Sequence, residues 1–390
     1  MTEIHGFCDE RFAKVREAFE ANFVERGDVG ASVAVSLEGE MVVDLWGGHR
    51  DAAGTRPWEE DTIVNVYSTT KTMSALCALV LADRGEIDFY EPVKTYWPEF
   101  AQNGKDKIEV RHFMSHSAGL SGTDEPLVGD DLYDWDRVVG VLERQAPWWE
   151  PGSASGYHAV TQGHLIGEVV RRVTGTSCGT FFRQEIAEPL GADFHIGTPP
   201  EHFARIGELI PPKTGLAETA EREAFSSANA QHSLQGRAES IASRTFASPA
   251  VNARASATER WRRAEIPAAN GHGNARSVAR VQSVVANGGK AFGRRIMSEA
   301  GSRAIFDEQI DGEDLVLGVP MRFGMGYGLT PKASARELCF WGGWGGSSVV
   351  IDPTSHLCIA YVMNRMEANL LGDERGLSLN QAALRSLASL

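Results

Sequence analysis

Residues 66–85 read VYSTTKTMSALCALVLADRG, with Ser68 and Lys71 three positions apart at the head of a segment that is nearly all apolar from Met73 to Ala82. A helix that is apolar all round is buried on all sides, and Asp83-Arg84-Gly85 supplies a C-cap. Positions i and i+3 share a helix face, so the Ser68 hydroxyl and the Lys71 amine point the same way. A serine hydroxyl needs a base to become a nucleophile. A lysine held at the positive end of a buried helix loses solvation, which disfavours its charged form and equips it to accept or relay a proton. The Ser68 backbone N–H at the helix start is also placed to bind an oxyanion. Ser68 to Lys71 is the sole S-x-x-K in the chain. A tetrapeptide alone is weak evidence, and an exposed lysine in a first helical turn is the plain alternative.

Outward from this segment, strand texture occupies both ends of the chain and helical texture the middle. Phe12, Val15, Phe19 and Phe23 share one helical face within residues 9–27. Gly30 to Leu37 and Met41 to Trp46 form a hairpin split by Glu38-Gly39-Glu40, and Thr62 to Val66 is a third short strand. Late in the chain, Glu337 to Trp341, Ser347 to Ile351 and Leu357 to Asn364 read as three consecutive antiparallel strands, and Leu377 to Leu390 as a closing helix. Helices are expected at Val138 to Arg144, His164 to Val173 and Ser277 to Val285, while 211–262 is polar with weak periodicity. The expectation is an α/β (α+β) protein with an antiparallel sheet flanked by helices. Residues 1–75 and 270–390 form one discontinuous domain, and 76–269 an inserted, mostly helical one.

An S-x-x-K site needs a second proton carrier. Tyr157, in the Gly/Ser loop PGSASGYHA (151–159), is the candidate. Its reference pKa near ~10 means that it needs a cation such as Lys71 beside it to act as a base. A buried tyrosine that merely finds a hydrogen bond is the plain reading. Trp341-Gly342-Gly343-Trp344 lies on a late strand, where glycines mark a bulge or close approach by a ligand.

The bulk numbers narrow the class. The 390 residues allow two or three domains, and 42% hydrophobic with 23% charged residues is ordinary for a soluble protein. A net charge of −14 argues against nucleic acid and anionic membrane as partners. The N-terminus lacks an apolar signal core, and no apolar run reaches the ~18 residues of a membrane span. Cys8, Cys77, Cys178, Cys339 and Cys358 show no C-x-x-C spacing and there is no H-E-x-x-H, so no metal is expected and a reducing, cytoplasmic setting fits.

Together these stretches resemble the serine β-lactamase and penicillin-binding-protein superfamily. The likeness runs through DTIVNVYSTTKTMSALCALVLADRGEIDFYEPVKTYWPEF (61–100), EVRHFMSHSAGL (109–120), PGSASGYHAVTQGHLIGEVVRRVTG (151–175) and WGGWGGSSVVIDPTSHLCIAYVMNRM (341–366). Two departures narrow it. The β-lactamase branch has Y-x-N where this chain has Tyr157-His158-Ala159, and K-T-G where it has Trp341-Gly342-Gly343. A literal Lys213-Thr214-Gly215 lies in a proline-bounded loop and reads as a decoy. The W-G-G form is similar to the family VIII carboxylesterases of class C β-lactamase fold.

That resemblance implies a serine carboxylesterase for short acyl, including aryl, esters. Ser68 is then the acylated nucleophile, and Lys71 and Tyr157 its proton carriers. The Ser68 and Trp344 N–H groups form the oxyanion hole, and Trp341, Gly342, Gly343 and Trp344 line the substrate site. No cofactor is implied. Amidase, D-peptidase or β-lactamase activity, or acyl transfer to an alcohol, is the alternative on the same fold; a non-catalytic binder is the rival of another class. His112 and His116 read as structural, His158 as a solvent-facing loop residue, and Trp148 and Trp149 as pocket wall or core.

Overall fold

The computed structural model describes residues 2–212 and 240–389. Its main sheet has nine strands, all antiparallel: β1 (Ile4–Cys8), β2 (Gly30–Leu37), β3 (Glu40–Gly48), β8 (Ile310–Glu313), β9 (Pro320–Phe323), β10 (Gly328–Leu329), β11 (Cys339–Gly342), β12 (Ser348–Asp352) and β13 (Leu357–Met363). The spatial order is β1-β3-β2-β13-β12-β11-β10-β9-β8. Strands from the two ends of the chain therefore meet at the β2–β13 pair, where Leu37 faces Leu357. Two further pairs lie outside it: β4 (Val64–Asn65) with β5 (His272–Gly273), and β6 (Lys290–Ala291) with β7 (Arg294–Arg295). Between Asn65 and His272 the described residues hold helices and loops and no strand.

Alternation sets how the sheet is covered. On β2, Ser32 accepts from the N–H of Ala275 and Ser36 bonds Ser283, so this face meets the helix Ala275–Ala286. Ala31, Val33 and Val35 point the other way, toward α1 (Ala13–Glu25) and the C-terminal helix Glu374–Leu387. Both faces are covered, which is why β2 is buried along nearly its whole length. The β2–β3 turn is Glu38-Gly39 alone, with φ of +54° and +81°; this left-handed pair matches the strand twist of a two-residue hairpin.

The apolar run of residues 73–82 is helix α2 (Lys71–Asp83), with every residue from Lys71 to Leu81 buried. Each fully buried Leu or Val there contributes roughly 1.5–3 kcal/mol. The helix starts at Lys71, and Tyr67–Thr70 form a 3₁₀ turn ahead of it. Four differences from the sequence expectation have local causes. Thr62–Val66 shortens to Val64–Asn65, which pairs with β5 and not with the main sheet. The closing helix begins at Glu374, capped by Asp373. Strand β1 and strands β8–β10 are additional. Helices Ile241–Ala247 and Glu259–Arg263 lie in the polar stretch 211–262, of which residues 213–239, including Lys213-Thr214-Gly215, fall outside the described residues. No helix among the described residues is long and apolar enough to cross a membrane.

Candidate active site

Ser68 is held by the turn that links β4 to α2. The Val66 N–H donates to Gly271 O at 2.9 Å. The next residue, Tyr67, takes a φ of +43°, a conformation costly for any residue with a Cβ and sustained only by its surroundings. Its ring packs 5.1 Å from that of Trp344 and 6.1 Å from that of Trp261. Thr70 Oγ1 donates to Tyr67 O at 2.5 Å and accepts from Gly271 N–H at 2.9 Å. From the other side, Ser347 Oγ reaches Val66 O at 2.8 Å and Thr69 Oγ1 at 2.9 Å. The start of α2, the β5 segment and the β11–β12 turn thus fix one another.

Lys71 follows Ser68 by one helical turn. Its Nζ lies 3.1 Å from Ser68 Oγ, 2.6 Å from Ala159 O and 3.0 Å from Ala268 O. It is 1% exposed, and no carboxylate lies within ion-pair distance among the described residues. Burial alone pushes the amine well below its ordinary value of 10.5. A neutral amine fits the three partners: two N–H groups donate to the two carbonyls, and the lone pair faces the Ser68 hydroxyl.

Tyr157 comes from the loop before the helix Thr161–Thr174. Its hydroxyl is 2.5 Å from Ser68 Oγ and its ring lies 4.8 Å from Lys71 Nζ. Burial raises the phenol well above its ordinary value; the Ser68 hydrogen bond opposes the rise and the Asp314 charge adds to it. Burial thus disfavours the charged form of both the amine and the phenol. Ser68, Lys71 and Tyr157, separated by up to 89 positions, meet at one oxygen.

The Tyr157 loop is locked from behind. Asp314, fully buried, accepts from the N–H groups of Tyr157 (3.0 Å), Val316 and Leu317 (2.9 Å each). His158 is 0% exposed, contrary to its reading as a solvent-facing residue. Its Nε2 accepts from Leu120 N–H at 3.1 Å, its Nδ1 faces Gly156 O at 2.6 Å, and its backbone N–H donates to His116 Nδ1 at 3.0 Å. The loop turns inward because these partners replace water. Burial takes the His158 imidazole down to about 3, so it stays neutral. His112 closes the N-terminus of the short helix Val110–Met114, accepting from Glu109 N–H at 3.1 Å.

The Trp341–Trp344 segment divides. Trp344 borders a small cleft at Ser68, uncharged among the described residues, with Val160, Phe246, Val251, Ala269 and Leu370. The free space there is about 20 Å³, near that of one water. Trp341 lies behind Tyr157, 2% exposed, stacked on His116 with ring centroids 5.5 Å apart and 5.6 Å from the Tyr157 ring. Gly342 abuts the Leu371 backbone, and a Cβ on Gly343 would come 2.2 Å from Val66 O. The N–H groups of Ser68 and Trp344 have no acceptor among the described residues. Trp148 bonds Asp124 and Trp149 bonds Ala154 O, and neither borders the cleft. Asp314 and the Ala159 and Ala268 carbonyls were not singled out from the sequence; a carbonyl carries no side-chain signature, and Asp314 lies in an unremarkable acidic turn. No group of three or more potential metal ligands occurs among the described residues.

Comparison with known proteins agrees with this geometry. The Beta-lactamase family model matches residues 16–384. "Esterase/beta-lactamase LipL" of Mycobacterium tuberculosis (strain ATCC 25618 / H37Rv) is 37% identical over 374 residues, covering 94% of this chain and 84% of that protein. The crystal structure of a family VIII carboxylesterase superposes with a TM-score of 0.89 at 41% identity, covering 98% of this chain and 100% of the other. A penicillin-binding-protein homologue from Caulobacter crescentus superposes with a TM-score of 0.87 at 39% identity, over 98% and 100% of the two chains.

Proposed function

This chain belongs to the Beta-lactamase family, and from that premise we propose that it is a serine carboxylesterase that hydrolyses short, uncharged acyl esters through an acyl-enzyme on Ser68. The observation that carries the reading is the meeting of Tyr157 Oη and Lys71 Nζ at Ser68 Oγ, 2.5 and 3.1 Å away, under a cleft whose border holds no charged side chain among the described residues.

In acylation Ser68 Oγ attacks the ester carbonyl carbon and gives its proton to the neutral Lys71 amine. Charge on the carbonyl oxygen is met by the N–H groups of Ser68 and Trp344, which have no other acceptor among the described residues. The C–O bond to the alcohol then breaks, the leaving oxygen takes the Tyr157 proton, and Lys71 returns one to Tyr157. In deacylation a water attacks the acyl carbon and yields its proton to Tyr157, which passes its own to Lys71. Ser68 Oγ leaves and recovers that proton. The chain's W-G-G and Ala159 remove the cation and side-chain amide that would hold a lactam's carboxylate and amide, which favours esters over β-lactams. The relatives named above include esterases and carboxylesterases. Five free cysteines suit a reducing compartment such as the cytoplasm.

The test is a p-nitrophenyl ester series run beside a chromogenic cephalosporin, with intact mass after a short exposure. The expected result is rapid turnover of acetyl and butyryl esters, slow lactam cleavage, and an acyl adduct on Ser68. Ser68→Ala is expected to be folded, adduct-free and inactive; turnover above a few per cent would overturn the assignment.

A further inference from the structure

A second, larger cavity of about 260 Å³ borders the β4–β5 pair and shares no bordering residue with the Ser68 cleft. Asn65 and His272, partners across that pair, form its floor, and Arg56, Arg262, Phe203 and Ile206 its walls. Two features of this cavity lack an internal explanation, and a third adds charge to its mouth. His272 is 0% exposed, yet neither ring nitrogen meets a well-formed hydrogen-bond partner among the described residues; two unmet polar atoms in a buried ring are costly unless a ligand or water meets them. Arg262, half-buried, has no carboxylate within ion-pair distance among the described residues; its Nε reaches Ser256 O at 3.3 Å and its guanidinium lies 5.4 Å from the Phe203 ring. Arg56, exposed at the mouth, uses Nε on Asp51 Oδ2 at 3.2 Å and keeps its two terminal nitrogens open to water and to a ligand.

We propose that this cavity is a second binding site, for a small organic carboxylate. A guanidinium fork matches a carboxylate with two parallel hydrogen bonds, and Arg262 and Arg56 supply two. His272 presents one ring N–H and one acceptor nitrogen, so it donates to the anion from below. Phe203, Ile206 and Leu209 offer an apolar wall for the hydrocarbon part, which a bare phosphate would not use. Glu208, exposed at the rim, repels multiply charged ligands more than a monoanion. Because Asn65 adjoins Val66 and His272 adjoins Gly271, the partner of Thr70, a ligand here also braces the nucleophile turn. The proposal does not depend on the esterase reading.

The experiment is calorimetric titration of the full chain with butyrate, benzoate, inorganic phosphate and chloride at matched ionic strength, repeated on variants. The expected result is binding of butyrate and benzoate with Kd on the order of 1 mM, and weaker phosphate and chloride. Arg262→Gln is expected to lose about tenfold or more of that affinity, the scale of a charge-assisted hydrogen bond, with ester turnover in carboxylate-free buffer unchanged. Ser68→Ala is expected to bind as the wild type does, which separates this site from the catalytic cleft. Should Arg262→Gln not fold, Arg56→Gln carries the same decision. Absence of carboxylate binding, equal binding by the arginine variant, or tighter phosphate binding would each overturn the proposal.

Discussion

At the scale of single residues, the question is what Lys71 costs and what it provides. Its amine has no counter-charge among the described residues, and burial alone lowers its pKa well below 10.5. Turnover is therefore expected to fall as pH drops through that lowered value, because protonation removes the base for Ser68; a pH profile of kcat/KM checks it. Stability follows the same group with a definite sign. Between the lowered pKa and 10.5 the unfolded chain binds a proton that the folded chain does not, so folding stability rises with pH across that window. Lys71→Met should lack this rise, be more stable than the wild type at neutral pH and be inactive, as calorimetry and an ester assay would show. Lys71→Ala and Tyr157→Phe should each cost about 10²–10⁴-fold in rate, and the pair together far less than the product. A fully multiplicative loss would mean that they serve separate steps. These side chains were legible because a lysine at the head of an apolar helix contradicts its surroundings, and contradiction is visible in a sequence. His158 was not legible. A histidine in a Gly/Ser loop reads as exposed, and its burial depends on Leu120 and His116, which reach it through the tertiary fold.

At the scale of elements, the β11–β12 turn holds Trp344 against the start of α2. Gly343 makes that approach possible, since an added Cβ would come 2.2 Å from Val66 O and 2.4 Å from Ser347 Oγ, the two atoms whose hydrogen bond joins the elements. Gly343→Ala is expected to move the Trp344 N–H away from the Ser68 N–H and lower kcat by about 10²–10³-fold, the scale of losing one oxyanion donor. KM should change little, while the clash costs about 1–3 kcal/mol of stability; a variant that lost that stability but kept kcat would argue that the turn is a packing device. Strand legibility followed length and coverage. β2 and β13 are long and buried on both faces, so their apolar runs stand out. β1 is an exposed edge strand, IHGFC, and β10 has two residues, so neither has room for an alternating pattern. The Val64–Asn65 strand was readable but its pairing with β5 was not, because periodicity reports a strand and not its partner.

At the scale of the whole molecule, one buried cation ties the ends of the chain together. Arg375, 2% exposed, donates to Asp28 at 2.9 Å and to Gly345 O at 2.8 Å, and pairs with Asp373; Tyr361 donates to the same Asp28 at 2.7 Å. Burial pushes the Asp28 carboxyl up, and Arg375 opposes the rise. Arg375→Met should cost about 3–5 kcal/mol by stranding Asp28, and adding Asp28→Asn should recover part of that loss in urea titrations. The meeting of β2 and β13 has a consequence in time. Leu37 finds Leu357 only after about 320 further residues are made, a wait of roughly 15–65 seconds on the ribosome at ~5–20 residues per second. Throughout that interval the β2–β3 hairpin carries an open apolar edge, the kind that recruits other chains. Nascent chains stalled before residue 357 should therefore engage a holdase or precipitate and hydrolyse no ester, while chains stalled with the C-terminal helix outside the tunnel should be active. Hydrolysis by the shorter stalled species would mean that the hairpin completes its edge from within the first half of the chain.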